Sequence, residues 1–327
     1  MKLLVTGGYG FIGSNFINLA SQFDHKIINI DNATYAADKN NIRVKNITNI
    51  ETDIAEYSST EKIILDFQPD IIVHFAAESH VDNSIENPYI FLNTNILGTY
   101  NLIQACSKLE NHFHFIHIST DEVFGELGKK GFFNEKTNYD PKSPYSASKA
   151  SSDHLVRAWE NTYGFPATIV NCCNNYGPNQ HKEKLIPKII TNCFSNNSIP
   201  IYGKGDNIRD WIFVEDFCKA ILLILENRES VLNESFCIGA NQEFSNVELT
   251  EKICSIINTH FSLKHNCLDL ITYVDDRLGH DFRYSINSKK IRNKLNFKLK
   301  YKMNDGLNQT VSWYIDNRNW LLQKLNF

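Results

Sequence analysis

Leu3-Leu4-Val5-Thr6-Gly7-Gly8-Tyr9-Gly10-Phe11-Ile12-Gly13 is a short apolar run that breaks into glycines spaced three apart and then into a helical pattern. Consecutive apolar residues without polar alternation read as a strand buried on both faces. Glycines at 7, 10 and 13 let the backbone turn tightly and approach a pyrophosphate. The helix opening at about Phe11 turns its free N–H groups and the positive end of its dipole toward that anion. A second apolar run, Lys26 to Ile30, leads to Asp31, 18 positions after Gly13. An acidic side chain there bonds a ribose 2′-hydroxyl and repels a 2′-phosphate, so the constellation predicts NAD rather than NADP. Asp53, ending the third strand, is an expected adenine contact, with a plain loop aspartate as the alternative.

Outward from this start, apolar runs and helical patterns alternate: a helix near Thr60 to Phe67, a strand Ile71 to Phe75, a long helix from about Tyr89, a strand Phe113 to Ser119. This alternation predicts an α/β protein, a doubly wound parallel sheet (Rossmann) with a smaller, discontinuous C-terminal substrate domain. From Asn174 the pattern becomes irregular, with Gly177-Pro178, an Asn/Ser-rich stretch at 195 to 198, and Gly203-Lys204-Gly205-Asp206. Asp210 to Leu225 reads as helix and Phe236 to Ile238 as strand, and both are able to rejoin the first sheet. The expected division is therefore 1–173 for NAD, rejoined by about 210–240, and 174–209 with 241–327 for the substrate.

Composition removes several functions. The chain has 327 residues and a formal charge of −4, and no basic stretch suits a phosphate-tracking surface, so nucleic acid is not an expected partner. No apolar run reaches the ~20 residues of a membrane helix, and Leu3-Leu4-Val5 is far shorter than the ~7–15 residue apolar core of a signal peptide. The eight cysteines form no C-x-x-C pair and read as reduced thiols of a cytoplasmic protein. The eleven histidines lack metal-ligand spacing, so no metal is expected.

Tyr145-Ser146-Ala147-Ser148-Lys149 sets a tyrosine and a lysine four apart, on one face of a helix. A nearby ammonium favours the phenolate, so the spacing predicts a lowered Tyr145 pKa and a general base. The preceding strand ends in Ser119-Thr120-Asp121-Glu122, and in a doubly wound sheet ligands sit at the carboxyl ends of strands. Helix capping is the ordinary fate of an acidic pair after a strand. As a functional pair, mutual repulsion keeps one carboxyl protonated and the other ionised, giving acid and base at one pH.

With these motifs in place, the chain resembles the extended short-chain dehydrogenase/reductase proteins, and among them the nucleotide-sugar 4,6-dehydratases. The resemblance runs from Lys2 to about Trp313. It rests on Thr6 through Gly13, Phe75-Ala76-Ala77-Glu78-Ser79-His80-Val81-Asp82, Ser119 through Gly125, Tyr145 through Leu155, and Asn174-Asn175-Tyr176-Gly177-Pro178. Glu183-Lys184-Leu185-Ile186-Pro187, Ile208-Arg209-Asp210-Trp211 and Asp276-Arg277-Leu278-Gly279-His280-Asp281 complete it. It implies that Thr120 bonds the sugar 4-hydroxyl, Tyr145 removes its proton with Lys149 beside it, Asp121 is the acid and Glu122 the base of an elimination. It implies cofactor contacts from Gly7, Gly10, Phe11, Ile12, Gly13, Asp31, Asn32, Asp53, Ile54, Phe75, Ala76, Ala77, Ser79, Thr94, Tyr145, Lys149 and Asn175. Substrate contacts would come from Ser79, Thr120, Asn174, Lys184, Leu185, Pro200, Tyr202, Arg209, Asn246, Arg277 and His280. The departures are Phe124 where Tyr is usual, Leu278 where Pro is usual, and a shorter stretch between Glu122 and Tyr145.

The expected reaction turns a dTDP- or UDP-glucose into its 4-keto-6-deoxy sugar nucleotide and water, a kind of product that commonly precedes rhamnose. One methyl separates thymine from uracil, worth only ~1–3 kcal/mol in binding, and no residue is seen to read it. A 4-epimerase would share Tyr145 and Lys149 but has no use for Asp121 and Glu122, and a non-catalytic NAD sensor has no use for any of them. The helices around Asn87 to Lys108 and Lys149 to Tyr163 are, by the same resemblance, the expected four-helix interface of a homodimer.

Overall fold

The structure is a computed structural model that describes residues 1–276 and 279–317. Its first half runs β1 (Lys2–Thr6), α1 (Phe11–Ala20), β2 (Lys26–Asp31), β3 (Ile47–Glu51), α2 (Tyr57–Phe67), β4 (Ile71–His74), α3 (Val81–Glu86), α4 (Pro88–Phe91), α5 (Thr99–Cys106), β5 (His114–Thr120), α6 (Pro144–Tyr163) and β6 (Ala167–Cys172). The second half adds β7 (Asn174–Tyr176), α7 (Leu185–Ser195), β8 (Ile199–Tyr202), β9 (Ile208–Phe213), α8 (Val214–Glu226), α9 (Arg228–Val231), β10 (Glu234–Ile238), β11 (Glu243–Ser245), α10 (Asn246–His260), β12 (Ile271–Val274), α11 (Lys289–Leu295) and α12 (Met303–Asp316).

Seven strands form one sheet in the order β3-β2-β1-β4-β5-β6-β10, and every pairing in it is parallel. The order reverses between β1 and β4, which opens a crevice at the carboxyl ends of the strands. Both faces are covered, as fully apolar strands require. Phe16 and Ile17 of α1 meet Phe217 and Ile221 of α8 in one core. On the opposite face Ile64 of α2, Leu102 and Ile103 of α5 and Val156 of α6 fill another. A third core joins α7, α10 and α12 around Tyr176, Trp211 and Phe213, beside two small sheets, β11-β9-β7 and β12-β8.

Two expected elements differ. Asp210 to Phe213 is strand, not helix: β9 pairs in parallel with β7 and antiparallel with β11, and the helix begins only at Val214, where Glu215 and Asp216 occupy its first turn. Trp-Ile-Phe suits a pleated surface, and acidic residues suit a helix start. The long helix expected from Tyr89 is interrupted by a π-helical turn over Leu92–Gly98. A side chain on Gly98 would stand 2.7 Å from the Ile54 side chain, so this backbone must lie close to the cleft wall. Wide turns of this type recur at functional sites.

Candidate active site

The cleft at the carboxyl ends of the strands has two lobes that share Ser79, Glu122, Asn174, His181, Glu183 and Lys184. The first lobe begins at the glycine turn. Gly7 adopts φ +75°, and a Cβ there would lie 2.6 Å from the Ala76 nitrogen. A Cβ on Gly13 would fall onto the Gly7 carbonyl oxygen. Gly10 then caps α1 without a side chain, leaving the helix N-terminus open to the cleft.

Asp31 is buried at the end of β2, where Tyr9 N–H donates to Oδ2 at 2.9 Å and Ala33 N–H to Oδ1 at 2.8 Å. Burial pushes its carboxyl up, and those two bonds pull the other way. Its oxygens retain lone pairs for a diol. Asp53 accepts from Ala55 N–H at 2.8 Å and Asn32 Nδ2 at 3.3 Å, two residues beyond the end of β3 rather than within it. Phe11, Ile12, Asn32, Ile54, Phe75, Ala76, Ala77, Ser79, Thr94 and Asn175 line the same lobe. Among the described residues no group satisfies the buried Asn175 side-chain carbonyl. A glycine cradle too tight for any side chain, a diol-facing carboxylate and an unsatisfied amide acceptor together fit a dinucleotide.

The floor of the cleft is built by β5 and α6. Ser143 and Ser146 form a reciprocal capping box, Pro144 takes the first helical position, and Gly164 ends α6 at φ +67°. That start fixes Tyr145, Lys149 and Asp153 on the buried face. Lys149 is nearly inaccessible, and its Nζ donates to the Ile118 carbonyl at 2.8 Å. Burial pushes the Lys149 pKa down, opposed first by Asp153.

Tyr145 overturns the expectation of a lowered pKa. Burial, then the Glu122 charge, hold its phenol well above the ordinary tyrosine value, while Thr120 works the other way. The spacing places both side chains on one face, where the ammonium directs one of its three donors to the Ile118 carbonyl, and burial outweighs its pull on the phenol.

The acidic pair divides as expected for Asp121. Its carboxyl is wholly buried, and burial followed by the Glu122 charge pushes its pKa well above the usual carboxylate range. Thr120 caps the short 3₁₀ turn Asp121–Phe124 by accepting from the Glu122 N–H at 3.3 Å, so capping and placement in the cleft are both served. Phe124 packs on Phe133 and Tyr139 with ring centroids 5.3 Å away, a setting that asks for no hydroxyl. The short segment after Glu122 is pinned by backbone bonds from Leu127 to Arg283 and from Phe133 to Ser285, each 2.9 Å.

The second lobe gathers Leu185, Pro200, Tyr202, Arg209, Asn246 and His280 with Asn174 and Lys184. Lys184 Nζ donates to Ser79 O at 2.8 Å. Arg209 lies 4.2 Å above the Tyr284 ring and donates to the carbonyls of Ile208 and Asp281 at 2.8 and 2.9 Å. His280 Nδ1 is 2.7 Å from Asp276 Oδ1, with its ring edge-on to Tyr202. Arg277 and Leu278 lie outside the described residues. Sequence reasoning did not assign Glu78, Gln180, His181, Glu183, Trp211 or Tyr284, all of which line the cleft. Glu78 and Glu183 stand inside quoted motifs, and that adjacency was the available signal; His181 and Tyr284 carried none. No group of three or more metal-ligating side chains occurs among the described residues.

A nucleotide cradle on a doubly wound sheet, facing a Tyr/Lys helix and a polar second lobe, defines a cofactor-dependent nucleotide-sugar enzyme. The GDP-mannose 4,6 dehydratase family model matches residues 4–310, and the chain belongs to that family. It is 41% identical to dTDP-glucose 4,6-dehydratase 1 of Escherichia coli (strain K12) over 98% of this chain and 94% of that protein. The solved dTDP-glucose 4,6-dehydratase of Streptomyces venezuelae with NAD bound superposes at a TM-score of 0.91, with 38% identity and 98% of both chains covered. A UDP-glucose 4-epimerase of Thermotoga maritima shares the fold at a TM-score of 0.88 but only 26% identity, over 97% of this chain and 100% of that one.

Proposed function

We propose that this chain is an NAD-dependent hydro-lyase that converts dTDP-glucose to its 4-keto-6-deoxy sugar nucleotide and water. The observation that carries this reading is the pair at the end of β5: a buried Asp121 held protonated directly before Glu122, with both facing the cleft beside Thr120 and Tyr145. An epimerase needs no acid at carbon 6. The thymidine nucleotide is supported by the likeness to relatives named for dTDP-glucose.

In this reading Thr120 bonds the sugar 4-hydroxyl and Tyr145 accepts its proton. Bound NAD supplies a hydride acceptor for carbon 4 that returns the hydride at carbon 6, and a positive ring charge that opposes the raised Tyr145 pKa. With carbon 4 a ketone the carbon 5 proton is acidic, and Glu122 removes it while Asp121 protonates the departing carbon 6 hydroxyl. Glu122 then returns its proton to carbon 5. Lys184 and Arg209, with Asn174 and Asn246, hold the nucleotide diphosphate, Arg209 by its planar donor fork. Residues 1–173, rejoined by about 210–240, serve the cofactor, and 174–209 with 241–327 the nucleotide sugar, 277–278 and 318–327 lying outside the described residues.

The proposal extends to a cytoplasmic homodimer. Tyr89, Ile90, Leu92, Leu97, Tyr100 and Tyr163 are exposed on α4, α6 and the turn and helix between them, a patch that a second copy would cover. All eight cysteines are buried free thiols, and among the described residues no helix is long and apolar enough to cross a membrane.

The deciding test supplies dTDP-glucose or UDP-glucose deuterated at carbon 4. The expected product has lost water, carries the deuterium in its carbon 6 methyl group, and forms faster from the thymidine nucleotide. Label returned to carbon 4 without loss of water would make the protein an epimerase, and no turnover would leave a binding protein.

A further inference from the structure

Asp153 takes part in none of the roles above, yet it sits one helical turn beyond Lys149 on the same buried face of α6 and is wholly inaccessible. Its Oδ2 accepts from Tyr139 OH at 2.7 Å, Ser119 Oγ at 2.8 Å and Asn171 Nδ2 at 3.2 Å. His117 Nε2 lies 3.1 Å from Oδ1. Three of these partners reach the reacting strand: His117 and Ser119 lie on β5 just before Thr120, and Asn171 Nδ2 also donates to the Thr120 carbonyl at 3.2 Å. Three donors converge on Oδ2, which favours a carboxylate over a carboxylic acid, while Oδ1 has no hydrogen-bond partner among the described residues and faces only the His117 ring.

We propose that Asp153 is a positioning residue for the oxidation at carbon 4: its carboxylate keeps the buried Lys149 charged and fixes the end of β5, so that Thr120 and Tyr145 meet the sugar in one geometry. This rests on the role given to Tyr145 in the proposed function, with Lys149 as the cation one turn along the same buried helix face. Burial pushes the Asp153 carboxyl up, but His117, Lys149 and Tyr139 outweigh it and hold it below the usual range. The other groups near Lys149 do not provide an anion. His74 on β4 and His117 on β5 are pushed toward the neutral form, first by burial, and burial raises the Cys172 thiol on β6. Tyr139 is held as a phenol, Tyr145 likewise, and Asp121 as an acid. Arg157, a turn further along α6, stacks on Tyr139, and Glu122 acts on Tyr145 and Asp121.

The test follows the Lys149 side chain in the whole enzyme by NMR with lysine labelled at the ε carbon, assigned with Lys149→Met, in parallel with the pH dependence of turnover. Wild-type Lys149 is expected to remain an ammonium at pH 7 despite its burial. In Asp153→Asn the loss of an opposite charge should lower its pKa by roughly one to three units and draw the alkaline limb of the kcat profile down with it. On the alkaline limb, above both pKa values, kcat at a fixed pH should fall about tenfold for each unit of that shift, while KM for the nucleotide sugar stays within about twofold. Ser119→Ala and Tyr139→Phe keep the carboxylate and should leave the alkaline limb in place. An unmoved Lys149 titration in Asp153→Asn overturns the proposal. So does a neutral Lys149 at pH 7 in the wild-type enzyme, a measurement that needs no variant to fold. A wild-type protein that binds NAD and dTDP-glucose without oxidising it would count against the proposed function, whereas the lysine titration judges Asp153 by itself.

Discussion

The Thr120 hydroxyl donates to Asp121 Oδ1 at 3.3 Å, and the other Asp121 oxygen is buried with no partner among the described residues. Ionisation is disfavoured there, because one hydroxyl on Oδ1 is the only donor to the carboxyl among the described residues, whereas Asp153 has three on one oxygen. A protonated carboxyl fits, and it is aimed at the cleft.

Asp121→Asn should lower kcat for dehydration by about 10²–10⁴, the usual worth of a general acid. The same change should stabilise the fold at neutral pH. A carboxyl whose folded pKa lies above its unfolded value takes up a proton on folding, so its cost is absent below the unfolded pKa and grows as pH rises above it. Thermal unfolding should show the variant gaining on the order of 2–4 °C at pH 7, about 1 kcal/mol for a chain of this size, and nothing near pH 3. A gain of equal size at both pH values would show that Asp121 is not held protonated.

Glu122→Gln separates the half-reactions. Oxidation at carbon 4 uses Tyr145 and Lys149, whereas removal of the carbon 5 proton needs a carboxylate. On mixing with dTDP-glucose, reduced nicotinamide fluorescence should rise and persist while no 4-keto-6-deoxy product forms. Full activity would remove Glu122 from the mechanism.

Asp31→Ala deletes the acceptor for Tyr9 and Ala33 N–H as well as the ribose contact. NAD affinity should fall at least tenfold by calorimetry, since hydrogen bonds to a charged group contribute about 1.5–3 kcal/mol, and discrimination against NADP should weaken. Unchanged affinity for both cofactors would take Asp31 out of the site.

Gly13→Ala drives a Cβ onto the Gly7 carbonyl, backbone that has nowhere to move. NAD binding should be lost. Gly128→Ala meets nothing within 4 Å and should alter stability by less than about 0.5 kcal/mol. Equal retention of NAD by both variants would refute the close approach at Gly13.

Much of this was legible in sequence because it is encoded locally. The glycine spacing, the four-residue step from Tyr145 to Lys149 and the unbroken strands each depend on near neighbours along the chain. Where local reading failed, long-range contacts had taken over. Asp210 to Phe213 is strand because β7 and β11 flank it, and the helix from Tyr89 widens where Gly98 meets Ile54.

The sequence by itself determined the parallel sheet and the dinucleotide cradle, and it pointed to many but not all of the residues lining the cleft, missing Gln180, His181 and Tyr284. Only the tertiary structure decided how their titrations move: burial and the Glu122 charge push Asp121 and Tyr145 upward, the latter against the expectation from its spacing to Lys149, and His117, Lys149 and Tyr139 draw Asp153 downward. The physical reason is that a charge state follows from desolvation and from the partners that folding brings near. For Asp153 those are His117, Ser119, Tyr139 and Asn171, up to 36 positions away along the chain.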